Sequence, residues 1–85
     1  MEKSHWLDLY SFSGGNIDEG HHFNEFKVVL EETLDFEDAV KFAVENTSPE
    51  DTLILVTADH SQPLTINGYT PRGWDILGKQ TFISH

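Results

Sequence analysis

Thr52-Leu53-Ile54-Leu55-Val56-Thr57-Ala58-Asp59-His60 is the stretch on which the fold turns. Its first seven residues are apolar or β-branched without interruption, the pattern of a strand covered on both faces. Just before it, Ser48-Pro49-Glu50-Asp51 reads as a capped turn. Upstream again, from about Asn24 to Glu45, Phe26, Leu30, Thr33, Phe36, Val40 and Val44 recur at helical spacing, and Val29, Leu34 and Ala43 widen the stripe. Glu25, Glu31, Glu32, Asp35, Asp38, Lys41 and Glu45 form the polar face, and neither glycine nor proline interrupts the pattern. The spacing predicts a helix of about 20 residues that ends near Asn46-Thr47, with Pro49 just beyond. Trp6 to Phe12, rich in aromatics and leucine, offers a short strand before it, and Ser13-Gly14-Gly15-Asn16 reads as a turn. Strand, helix, strand in that order is the unit of a parallel sheet, so the expected class is α/β.

In such sheets ligands bind beyond the carboxyl ends of the strands. Asp59-His60 stands at that place, and Asp18 and His22, four apart, follow the candidate first strand at the same edge. Each pair joins a carboxylate oxygen to an imidazole nitrogen, a donor set that suits Zn²⁺. Two such pairs in one crevice have the makings of a two-metal site, which can clamp the attacking and leaving oxygens of a phosphoryl transfer. The reading requires Asp18, His22, Asp59 and His60 to converge.

The bulk properties set outer bounds. Eighty-five residues make one small domain or a piece of a larger one. A chain this short buries little more than ~60% of its unfolded surface, and with no cysteine it has no disulfide to compensate. A net charge of −10 argues against nucleic acid or an anionic membrane as a partner, whereas bound divalent cations would be compatible with it. Hydrophobic residues at 38% and charged residues at 24% place the chain among globular proteins. No signal peptide and no apolar run of transmembrane length is legible.

Several separated motifs carry a family resemblance. Gly14-Gly15-Asn16-Ile17-Asp18-Glu19-Gly20-His21-His22, Leu30-Glu31-Glu32-Thr33-Leu34, Glu50 through Ser61 and Gly68-Tyr69-Thr70-Pro71-Arg72-Gly73 together resemble alkaline phosphatase, the animal enzymes more closely than the bacterial ones. The resemblance runs from about Gly14 to Gly78, so residues 1–85 are expected to be a partial domain of that kind. It implies a strand–helix–strand piece of a mostly parallel sheet, and hydrolysis of phosphate monoesters through a phosphoserine with two zincs and a magnesium. Asp18 and His22 match the pair on the zinc that activates the attacking water; Asp59 and His60 match the pair on the zinc that activates the serine. The resemblance also implies a homodimer at the cell surface or secreted.

The departures from the family shape the expectation. Ser13 stands where the family has a glutamate on magnesium, and a hydroxyl is a poor substitute for an anionic oxygen. Gln62 stands where the animal enzymes usually carry a second histidine. The 85 residues contain no nucleophilic serine motif, phosphate-binding arginine, bridging aspartate or third ligand for the first zinc. The chain alone is therefore expected to be catalytically inactive, with no catalytic residue of its own assigned. The rival reading is a non-catalytic acidic module with at most weak divalent metal binding. Ser61 beside His60 makes no catalytic pair, because neighbours at a strand end point apart. Arg72 belongs to a turn motif, Glu19 and His21 to the surface, and His5 and His85 to the chain ends.

Overall fold

The computed structural model describes residues 7–78, so Trp6, His5 and His85 lie outside the described residues. Two helices, α1 (Gly15–His22) and α2 (Phe26–Glu45), are the regular elements there. Helix α2 coincides with the periodic segment. It ends where side chains take over its last carbonyls: Asn46 Nδ2 donates to Phe42 O at 2.8 Å, and Thr47 Oγ1 to Ala43 O at 2.7 Å. The Ser48–Asp51 turn follows, with the Thr52 amide donating to Ser48 O at 2.9 Å.

Helix α1 corrects the sequence reading, since Gly15 and Asn16 belong to its first turn rather than to a free turn. Eight residues are too few to hold a helix alone, and glycines at Gly15 and Gly20 weaken it further. Packing on α2 supplies what propensity lacks. A Cβ at Gly20 would lie 3.0 Å from Val29 Cγ2 and 3.3 Å from the Val29 backbone nitrogen, and one at Gly14 would lie 3.0 Å from the Phe36 ring. These two glycines let the helices touch. Asn16 Nδ2 adds a hydrogen bond to Glu32 Oε2 at 3.2 Å. Contacts Gly14–Phe36, Asn16–Glu32 and Gly20–Val29 run in opposite chain directions, so the helices form an antiparallel hairpin.

The corner between them is Asn24, whose φ of 53° lies in the left-handed region. Asparagine tolerates that conformation better than most residues. Asn24 Oδ1 also accepts a hydrogen bond from the Thr65 amide at 3.0 Å, which ties the later chain to the corner.

Val29, 6% exposed, is the buried hydrophobic residue of the described chain. The apolar stripe of α2 divides: Val28, Val29 and Phe36 lie toward α1, while Leu30, Leu34, Phe42 and Val44 remain exposed. Glu31, Asp35, Asp38 and Glu45 are exposed as their polar face requires; Glu32, bonded to Asn16, is half-buried. Residues 7–14 and 52–58 lie outside the helices, and no strand stands among the described residues for either to pair with. Leu53 and Leu55 are more than 80% exposed, at 82% and 81%. The radius of gyration, 20.0 Å, exceeds the roughly 12 Å of a compact domain of this length.

Candidate functional site

The last turn of α1 and the segment after residue 58 meet at one place. Asp18 and His22 are one turn apart on α1, so they share a helix face, and His22 Nε2 lies 3.2 Å from Asp18 Oδ2. From the other side, His60 Nε2 lies 3.8 Å from Asp18 Oδ1 and 3.4 Å from Asp59 Oδ2. The four residues singled out from the sequence thus form one chain of contacts centred on Asp18. His21 faces away from this chemistry, its Nδ1 2.7 Å from Ile17 O within the helix. Glu19 is exposed, as expected.

The cluster sets carboxylate oxygens beside imidazole nitrogens. Asp18 as a side chain is 40% exposed, but its two oxygens differ: Oδ1 is buried and accepts no hydrogen bond. Leaving such an oxygen without a donor is costly. His60 Nδ1 lies 3.1 Å from the carbonyl oxygen of Ser61, which can only accept, so that nitrogen donates. In the neutral ring Nε2 is then a bare lone pair, and its acidic neighbours are the oxygens of Asp59 and Asp18. Those repel it. The cluster thus sets acceptors against one another, with no donor on Asp18 Oδ1.

The donor types and the orphaned oxygen fit a divalent ion, but the set is incomplete. Among the described residues no three His, Cys, Asp or Glu side chains form a group that could hold a metal ion. Each pair contributes two ligands where zinc takes four, or three and a water. Ser13 is exposed and brings no charge to the site.

Two polar contacts of the site were not legible in the sequence. Gln62 Nε2 lies 3.4 Å from His22 Nδ1, and the Asn24–Thr65 bond holds the segment that carries it. Both span 40 residues or more of chain, at separations of 40 and 41, where no periodic signal reaches. Arg72 sits in a turn closed by the Trp74 amide on Pro71 O at 3.2 Å, with Gly73 at φ 87°, which agrees with a structural role. No helix among the described residues is long and apolar enough to cross a membrane.

The family model described as Alkaline phosphatase matches residues 9–85. Alkaline phosphatase 4 of Drosophila melanogaster is 57% identical over 65 residues, which cover 76% of this chain and 11% of that protein. The tissue-nonspecific isozyme of Gallus gallus is 52% identical over 65 residues, covering 76% of this chain and 12% of its own length. The human tissue-nonspecific isozyme is 48% identical over 71 residues, covering 84% and 14%. The chain thus spans about one eighth of the curated relatives it matches, between 11% and 14% of their length. No solved structure matches the chain.

Proposed function

The chain belongs to the alkaline phosphatase family, and on that premise we propose that Asp18, His22, Asp59 and His60 are metal ligands of a phosphate monoester hydrolase. The observation that carries the reading is the meeting of two distant segments, the Asp18–His22 pair and the Asp59–His60 pair, where His60 Nε2 lies 3.8 Å from the buried, unpartnered Oδ1 of Asp18. Asp18 and His22 hold one zinc and Asp59 and His60 the other; a magnesium, if one is held nearby, gains nothing anionic from Ser13. A divalent cation bound there supplies Lewis-acid stabilisation of charge on the phosphoryl oxygens.

What the residues of this chain contribute is orientation and charge. Helix α1 fixes the Asp18–His22 spacing, and the Ser61 carbonyl turns His60 so that Nε2 faces the carboxylates. All four side chains carry substantial exposure, so the chain by itself does not exclude water from the site. The α/β sheet belongs to the same proposal: residues 7–12 and 52–58 become strands once neighbouring strands of a longer protein satisfy their backbone and cover Leu53 and Leu55. The 85-residue chain alone turns over no phosphate monoester, because two ligands per ion and no nucleophilic serine motif leave the chemistry unassembled. In isolation it behaves as an acidic module with weak divalent-metal affinity.

A chimera tests the proposal. Residues 14–78 replace the matching stretch of a full-length relative, and hydrolysis of an aryl phosphate is measured with zinc and magnesium present. Retained turnover that Asp59→Ala and Asp18→Asn each abolish is the expected result. Turnover indifferent to both substitutions removes the ligand assignment, and saturable turnover by the 85-residue chain itself removes the claim of inactivity.

A further inference from the structure

We propose that Gln62 is a positioning residue for His22, an amide that supports either neutral form of the imidazole ring. His22 is held at both ring nitrogens. Nε2 is 3.2 Å from Asp18 Oδ2, and Nδ1 is 3.4 Å from Gln62 Nε2. A carboxylate only accepts, so in the metal-free neutral ring Nε2 carries the hydrogen, and Nδ1 is the acceptor that the Gln62 amide donates to. That arrangement occupies the nitrogen a metal would need. Turned end over end, the same amide presents its oxygen to Nδ1, accepts a hydrogen there, and leaves Nε2 bare. Glutamate would support only the second form and leucine neither. The amide is thus suited to a ring that must exchange its Asp18 partner for a cation and back.

The placement of Gln62 has its own cause. Gln62 is half-buried while the His22 side chain is 62% exposed, and the polar groups that meet the ring are Asp18 from α1 and the Gln62 amide from the later segment. The Thr65 amide on Asn24 Oδ1 pins the segment three residues further on to the α1–α2 corner. Partners at the far nitrogen of a ligating histidine set its tautomer and raise its basicity, and losing one typically weakens metal binding ~10–100-fold. The consequence for a cation rests on the reading of His22 as a ligand; the tautomer claim does not.

The test reads the tautomer of each histidine in the ¹⁵N-labelled, metal-free full chain, from two-bond ¹H–¹⁵N correlations at a pH where the rings are neutral. His22 is expected as the Nε2–H form in the wild-type chain and in Gln62→Leu. In Gln62→Glu its tautomer ratio moves toward Nδ1–H by roughly fivefold, the size of one net hydrogen bond. His21, whose Nδ1 donates to the Ile17 carbonyl, should stay Nδ1–H throughout and reports that α1 is intact. An unchanged His22 ratio in Gln62→Glu with His21 intact overturns the proposal. Should Gln62→Glu unfold α1, His22→Ala decides instead: the Gln62 side-chain amide signals must shift, and unshifted signals overturn it. Zinc titration against a chromophoric chelator is the second arm, with affinity about tenfold weaker in Gln62→Leu and kept in Gln62→Glu. Equal affinity in all three chains overturns the role toward a cation. A wild-type chain that binds no zinc defeats the ligand reading alone, and the tautomer ratio then decides the positioning role.

Discussion

Asp18 concentrates most of what the site can do. One of its oxygens meets His22 within α1, and the other, buried and without a donor, faces His60 from 42 residues away in the chain, the difference between positions 60 and 18. Asp18→Asn keeps the shape and removes the charge. It should weaken zinc binding by at least about tenfold, since a ligand lost from a two-donor half-site has no replacement; calorimetric titration checks it. Asn24 is the second residue of consequence, for a backbone reason. Asn24→Gly retains the left-handed corner and loses the bond to Thr65, whereas Asn24→Ala loses both, at a cost of about 1–2 kcal/mol for the conformation alone. Hydrogen exchange separates the two: the Thr65 amide loses protection in both variants, and the α1 amides only in Asn24→Ala.

Among the elements, the hairpin of α1 on α2 is held by a narrow contact. Gly20→Ala sets two effects against each other. Alanine gains about 0.5–1 kcal/mol of helix propensity, but its Cβ would meet Val29 Cγ2 at 3.0 Å and the Val29 backbone nitrogen at 3.3 Å, and overpacking typically costs 1–3. Net destabilisation is expected. Gly15→Ala meets only Ser13 Oγ at 3.8 Å and should stabilise. Circular dichroism on heating distinguishes them, the midpoint falling for the first and rising for the second. On α2, Val29→Ala should cost about 1–2 kcal/mol and Leu30→Ala less, because Val29 is 6% and Leu30 40% exposed. In a longer protein whose sheet covers the Leu30 face, that order reverses. Measuring both substitutions in the isolated chain and in the chimera checks the reversal.

At the scale of the whole molecule, acidity and lack of core work together. Fifteen acidic against five basic residues leave a charge of −10 on a chain with one buried hydrophobic side chain among the described residues. Helix α2 has no basic residue in its last turn and no acidic one in its first, so its dipole is not offset either. Moderate salt should therefore raise helicity by screening the Glu and Asp repulsion of α2, most of it by ~0.15 M, where the Debye length is about 8 Å. Helicity that falls with salt would contradict this. Solution scattering should return a radius of gyration near 20.0 Å rather than about 12 Å, the compact value that would require a core formed some other way.

Local chemistry was legible from the residues alone. Twenty uninterrupted helix-compatible positions made α2, Pro49 marked where it could not continue, the donor types of Asp18, His22, Asp59 and His60 marked the candidate ligands, and several separated motifs carried the family resemblance. Periodicity carries that much because it acts within a few residues. Helix α1 was not legible: its glycines argue against a helix, and its packing on α2 rests on Gly20 and the preceding Gly14, which admit Val29 and Phe36 at contact distance. The convergence of His60 on Asp18 could be expected but not located from sequence, for it depends on how a 20-residue helix, an asparagine corner and one long-range hydrogen bond fold residues 59–65 back onto α1. Which side of α2 stays exposed, and which nitrogen of His22 meets Gln62, were likewise decided in three dimensions, since both turn on contacts between segments that no spacing along the chain relates.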